Sequence, residues 1–309
     1  MTYTMGADRD DARGDVVFCH GTPWSAQVWA STAHHLSAGY RVFLWDMPGY
    51  GASPKVGDVP VDLPEQTSRF AQLLDAWRVE RPYVVAHDIG GAVALGAHLL
   101  HQREFSGLYL WDVVVLDPWG SPFFELVAGH PDVFAALPAD LHSALLKAYI
   151  TGATHHLDST WLATLSDPWL GTEGQRAFYR QIAALRTEHT FPIVERLDRV
   201  RCPVAIGWGQ QDPWIAVEHA TRLQELLPGT PPLALVDGVG HLTPVEAPAT
   251  VNSALAAWLA TVPHSDSGTA QTPSTQTPAS GSPTLISPER GAVRSTAGRA
   301  AVPAVGEGA

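Results

Sequence analysis

No segment of the chain reaches 18 consecutive apolar residues, which excludes a hydrophobic helix of bilayer-spanning length. Basic residues are scarce: 19 Lys and Arg stand against 31 Asp and Glu, a net charge of -12, and they form no run. A nucleic-acid surface is thereby excluded, and a small neutral or apolar organic substrate is the expected partner. There are only two cysteines, Cys19 and Cys202, each in an apolar strand-like run and neither at metal-ligand spacing. They are expected to be reduced packing residues, with no disulfide framework, metal or cofactor. The opening MTYTMGADRDDARG has no basic segment followed by an apolar one, so no secretory leader is read and a soluble cytoplasmic protein is expected.

What is present is an ordinary globular composition. The chain has 309 residues, 45% apolar and 16% charged, enough for one elaborated domain. Residues 264–309 are rich in Ser, Thr, Pro, Gly and Ala, cannot bury enough surface to offset their ordering entropy, and are expected to be disordered. Residues 1–14 are largely polar and are read as a disordered or truncated N-terminus.

Between these ends, apolar runs of strand length (VVFCH, YRVFLWD, YVVAHD, LYLWDVVVL, CPVAIGWG, LALVDG) alternate with helical patterns. That is the mark of an α/β protein with a parallel sheet covered on both faces. The alternation stops at Pro118 and resumes near Arg199, and the intervening segment is helical and aromatic. The chain therefore reads as a core of residues 15–117 and 200–263 with a helical cap, residues 118–199, over the carboxyl ends of the strands, where open α/β sheets bind ligands.

The stretch VVAHDIGGAVAL places Asp88 where a strand turns directly into a helix, with Ala86, Gly90 and Gly91 as the small neighbours that a sharp nucleophile elbow needs. Here the chain resembles the α/β-hydrolase superfamily, in its aspartate-nucleophile branch of epoxide hydrolases and haloalkane dehalogenases. HGTPW (20–24), DMPGYGAS (46–53), HDIGG (87–91), GQQDPW (209–214) and GVGHLTP (238–244) carry the resemblance jointly, over nearly all of residues 15–263. Such relatives usually begin with a β-hairpin that has no counterpart in the first 14 residues, leaving the sheet edge at Val16–Cys19 poorly protected on this reading.

The chemistry follows from the residue types. A carboxylate at an elbow can attack a saturated carbon and form an ester, which suits opening an epoxide or displacing a halide. Hydrolysing that ester requires a base that holds water and is oriented by a carboxylate. His241 is read as the base and Asp212 as its partner; Asp112 and Asp117, near the end of the fourth listed strand, are the competing acids. The resemblance implies oxyanion donors at the backbone N–H of Thr22 and of Ile89, and a cis Thr22–Pro23 bond. It also bears on the leaving group. Haloalkane dehalogenases typically carry a tryptophan after the nucleophile and fluoroacetate dehalogenases an arginine, whereas this chain has Ile89. Epoxide hydrolases use cap tyrosines, and Tyr149 and Tyr179 resemble that pair, although packing explains aromatic residues in a cap equally well. His20 and Asp46 are expected to brace turns. Trp24, Phe123, Phe124, Trp161 and Trp169 are candidates for an apolar pocket or for core. Epoxide hydrolysis is the favoured activity; dehalogenation or another hydrolase activity, and a ligand receptor or inactive member, are the alternatives.

Overall fold

The computed structural model describes residues 1–262 other than 9, 56 and 58. The tail expected to be disordered, residues 264–309, lies outside the described residues. Among the described residues seven strands form one sheet: β1 (Thr2–Gly6), β2 (Asp15–Cys19), β3 (Arg41–Trp45), β4 (Tyr83–His87), β5 (Gly107–Trp111), β6 (Val204–Gly209) and β7 (Leu233–Val236). Their order is β1-β3-β2-β4-β5-β6-β7, all parallel except β1, which runs antiparallel to β3. The four central strands β2, β4, β5 and β6 are buried along nearly their whole length, which is why each reads as a continuous apolar run rather than an alternation.

The N-terminal expectation is corrected. Thr2–Gly6 are not without structure but pair in register with Arg41–Trp45, from Thr2↔Trp45 to Gly6↔Arg41. All five residues are exposed, so the segment lacks the apolar signal of a buried strand and its pairing is decided by β3. Nor is Val16–Cys19 an edge, because the chain crosses over and seats β2 between β3 and β4.

Helices α1 (Ala30–Leu36), α2 (Leu63–Trp77), α3 (Ile89–Leu99), α10 (Glu218–Leu226), α11 (Thr243–Glu246) and α12 (Pro248–Leu259) accompany the sheet. α2 shows why such segments are helical: Asp62 caps it by accepting the Glu65 N–H at 2.9 Å, and Leu63, Gln66, Thr67, Phe70, Ala71 and Leu74 bury one face at spacings of three and four. α3 is buried on every side, between sheet and α2, consistent with its composition of Gly, Ala, Val, Leu and Ile.

Between β5 and β6 the chain leaves the sheet and forms α4 (Pro122–Gly129), α5 (Pro131–Ala135), α6 (Ala139–Thr151), α7 (Ser159–Ser166), α8 (Gly171–Ala184) and α9 (Phe191–Val194). Among the described residues no helix is long and apolar enough to cross a membrane. Cys19 is buried and Cys202 half-buried, both as free thiols.

Candidate active site

Asp88 sits between the end of β4 and the start of α3 with φ 54° and ψ −131°. A non-glycine residue in this region costs roughly 1–3 kcal/mol and persists only where its surroundings over-determine it. The surroundings do so here. A Cβ on Gly90 would lie 2.4 Å from the His20 carbonyl oxygen, and one on Gly91 2.4 Å from the Val113 Cβ, so the helix packs against its neighbours more closely than any side chain allows. The Asp88 carbonyl accepts the N–H groups of Gly91 at 2.9 Å and Val114 at 3.0 Å. The Asp88 carboxylate does not cap α3. Its Oδ1 accepts the Thr22 backbone N–H at 2.6 Å, and its Oδ2 lies 3.2 Å from His241 Nε2.

His241 is fully buried in the loop after β7, and its Nδ1 is 2.8 Å from Asp212 Oδ2. The other Asp212 oxygen accepts the backbone N–H groups of Trp214 at 2.8 Å and Ile215 at 2.9 Å. Burial disfavours a charged imidazole, but the Asp212 carboxylate and its hydrogen bond, helped by Asp88, outweigh it and raise the His241 pKa well above the usual histidine value. His87 donates from Nε2 to the His241 carbonyl at 2.8 Å. Burial first, and the adjacent His241 second, lower its pKa to about 4, so it stays neutral.

The competing acids are placed elsewhere. Asp112, with φ 46° at the end of β5, accepts the Gly209 N–H at 2.6 Å. Burial and then the neighbouring Asp212 charge raise its pKa well above the usual carboxylate value, and it braces β5 to β6 through the Gly209 N–H. Asp117 is exposed, ahead of a cis bond to Pro118. Thr22–Pro23 is also cis. His20 and Asp46 brace turns: His20 Nε2 accepts the Met47 N–H at 2.9 Å, and Asp46 accepts those of Ala26 at 2.8 Å and Ala52 at 2.9 Å.

A cavity of about 310 Å³ opens onto Asp88, with Thr22, Ile89, Val114, Trp119, Phe124, Tyr149, Trp214 and Ile215 among its lining. Tyr149, from α6, is half-buried, and its ring lies 4.7 Å from that of Trp214. Burial, the Asp88 charge and Tyr50 keep its hydroxyl protonated far above neutral pH.

The expected tyrosine pair does not assemble. Tyr179 is fully buried within the insertion, its hydroxyl 2.9 Å from His142 Nδ1 and its ring against Phe134 and Phe178, and it does not line the cavity. Tyr179 lies on a face of α8 packed against other insertion helices.

Of the five aromatic residues considered for the pocket, only Phe124 lines it. Phe123 packs on Phe134 and Tyr149, Trp24 stacks on Trp214, Trp161 is half-buried near the start of α7, and Trp169 is buried with its indole N–H donated to the Pro23 carbonyl at 2.8 Å. The cavity is walled instead by Trp119 and Trp214, and the latter was signalled by the GQQDPW motif that also holds Asp212. Two further residues escaped the sequence reading. Tyr50, in DMPGYGAS, and Thr22 both donate their hydroxyls to the side-chain oxygen of Gln181, in α8. No spacing rule joins residues 131 positions apart.

A mostly parallel sheet, an acidic residue at a strained strand-to-helix elbow, and a buried histidine bridging it to a second carboxylate define a hydrolase of α/β fold. The chain belongs to the alpha/beta hydrolase family, whose model matches residues 16–254. Among solved structures it is similar to an alpha/beta hydrolase fold protein from Burkholderia ambifaria, at 39% identity, TM-score 0.78, over 82% of this chain and 92% of that one. Among curated proteins it is similar to RutD of Caulobacter sp. (strain K31), a carbamate hydrolase by name, at 26% identity over 80% of this chain and 91% of the relative. It is similar too to an epoxide hydrolase of Caballeronia sordidicola, at 26% identity over 80% of this chain and 88% of the relative.

Proposed function

We propose that this enzyme opens an epoxide through a covalent alkyl ester on Asp88. The observation that carries the reading is the division of labour between the two carboxylate oxygens, with Oδ1 held at 2.6 Å by Thr22 N–H and Oδ2 at 3.2 Å from His241, both at the wall of a cavity that also presents Tyr149. Oδ2 attacks a ring carbon as the ring C–O bond breaks. The ring oxygen takes the Tyr149 proton, and the phenolate recovers one from His241. Esterification favours that transfer, because it removes the Asp88 charge, one of the two carboxylates that hold the proton on His241.

Neutral His241 then removes a proton from water as the water oxygen attacks the Asp88 carbonyl carbon. Negative charge collects on Oδ1, where Thr22 N–H already points and Ile89 N–H, first in α3, is the second donor. Collapse breaks the bond from carbonyl carbon to Oδ2, and the diol leaves with that oxygen and the His241 proton. The regenerated Asp88 carboxyl gives its proton back to His241. Asp212 holds the imidazole for each transfer.

No Lys or Arg is among the described residues lining the cavity, and its volume is at the small end for ligand sites, which supports a small, neutral, apolar substrate. The helical insertion acts as the cap that supplies Tyr149. Displacement of a halide uses the same nucleophile but needs N–H donors for the leaving ion. Ile89 offers no side-chain donor, and of the two indoles at the cavity wall that of Trp119 is already given to Thr190 at 3.3 Å, leaving that of Trp214 alone where a halide needs more than one N–H. An acyl substrate, as the name of one relative suggests, would leave a mixed anhydride on Asp88, whereas attack on saturated carbon leaves an ester stable enough to need His241.

Intact-mass analysis of His241→Ala after incubation with epoxides, haloalkanes and carbamates tests the reading. An epoxide is expected to add its whole mass to the peptide containing Asp88, and a haloalkane would add only its alkyl group. A wild type that turns over one of these substrates while His241→Ala carries no adduct would sink the covalent mechanism.

A further inference from the structure

The Gly21–Pro23 turn, which carries the Thr22 N–H, is held from two sides. From the core, His20 accepts at Nε2 from Met47 N–H, so its Nδ1 bears the proton and donates to the Gly21 carbonyl at 2.8 Å. From the insertion come two further bonds: the Trp169 indole N–H reaches the Pro23 carbonyl at 2.8 Å, and Gln181 Oε1 accepts the Thr22 hydroxyl at 2.7 Å. The same Gln181 oxygen accepts the Tyr50 hydroxyl at 2.8 Å, and the Tyr50 ring stands edge-on to Trp169 at 5.7 Å.

Gln181 is 1% exposed and lies on the inner face of α8 among Phe178 and Ile182. A leucine would fill the same place without any polar atom to satisfy, whereas the Gln181 amide leaves its Nε2 without a partner among the described residues and uses its oxygen alone. Its oxygen collects two hydroxyl donors from segments 159 and 131 residues away, both beside the elbow.

We infer that Gln181, assisted by Trp169, is a positioning residue through which the helical insertion aims the Thr22 N–H at Asp88 Oδ1. The inference rests on the reading of Asp88 as a nucleophile that forms an ester. It has a consequence that general loosening of the fold does not share. During alkylation the Asp88 carboxylate loses charge, so an N–H fixed on Oδ1 gives that step no help; during hydrolysis charge builds on Oδ1, and the same N–H stabilises it. Slack in the turn therefore slows hydrolysis and leaves ester formation unchanged or faster.

Gln181→Leu and Thr22→Val each remove one end of the Thr22–Gln181 bond while keeping every backbone N–H. Two measurements on the full chain test the inference. Hydrogen exchange read by mass spectrometry should show the peptide containing Thr22 exchanging faster in Gln181→Leu, with the β5 peptide unchanged. Single-turnover kinetics with an epoxide that alkylates His241→Ala should show ester hydrolysis slowed about tenfold or more in both variants, ester formation not slowed, and the double variant no worse than either single one. Unchanged exchange at the Thr22 peptide, or both half-reactions slowed by the same factor, overturns the positioning role. Absence of any adduct in His241→Ala overturns the Asp88 reading and leaves the exchange result to decide the positioning role alone.

Discussion

Asp212→Asn alters one side-chain atom and is expected to stop ester hydrolysis almost completely, by a route the geometry dictates. Asp212 uses one oxygen for the Trp214 and Ile215 N–H groups, at 2.8 and 2.9 Å, and the other for His241 Nδ1 at 2.8 Å. Asparagine has a single oxygen. Turning its amide nitrogen toward two backbone donors would leave both unsatisfied in a buried site, at about 1–3 kcal/mol each, so the oxygen stays with them and the amide nitrogen faces His241. Nδ1 must then accept, and the imidazole proton moves to Nε2, the atom that faces Asp88. An imidazole protonated at Nε2 cannot take a proton from water. The loss in hydrolysis rate should be of order 10² to 10⁴, or about 3–5.5 kcal/mol in the barrier. Ester formation, which does not use His241 as a base, should change far less. Rapid quench followed by intact-mass measurement separates the two steps, and the alkyl-enzyme should accumulate at steady state. Multiple turnover within about threefold of wild type would refute the reasoning. Asp112, buried beside Asp212, would then be the acid in use, and Asp112→Asn in the same background would abolish the residual rate.

The two cap tyrosines should part company. Tyr149→Phe removes the hydroxyl at the cavity wall and should slow adduct formation by about 10², while Tyr179→Phe should leave it within about twofold and lower thermal stability by about 1 kcal/mol, because that hydroxyl is bonded to His142. Equal effects on adduct formation would overturn the placement of Tyr179. His87 predicts an acid limb of stability: its folded pKa of about 4 lies below the unfolded value near 6.5, so the unfolded chain binds the proton first and stability falls as pH drops from 6.5 toward 4. The contribution is about 3 kcal/mol at full extent, and denaturant titrations across that range should show a shallower decline in His87→Gln than in wild type. His241, raised, contributes with the opposite sign: its stabilisation is complete below about pH 6.5 and fades as pH climbs through the folded value.

The sheet and the elbow were legible because they depend on local pattern. β2, β4, β5 and β6 are buried on both faces, and burial on both faces writes an uninterrupted apolar run that composition alone betrays. Asp88, His241 and Asp212 were legible for a related reason: each occupies a turn whose tightness demands particular neighbours, such as Gly90 against the His20 carbonyl, and those neighbours stand next to it in the chain. β1 was not legible, since an exposed edge strand needs no apolar residues and is specified by the backbone groups of β3. The cavity wall was not legible either. Which of Phe123, Phe124, Trp161, Trp169, Tyr149 and Tyr179 faces Asp88 depends on how six short helices pack on one another, and a rotation of about 100° per residue on a helix is enough to turn Tyr179 to His142 and leave Gln181, two positions on, at Thr22. Sequence pattern sets which face of a helix is buried; only the tertiary packing decides against what.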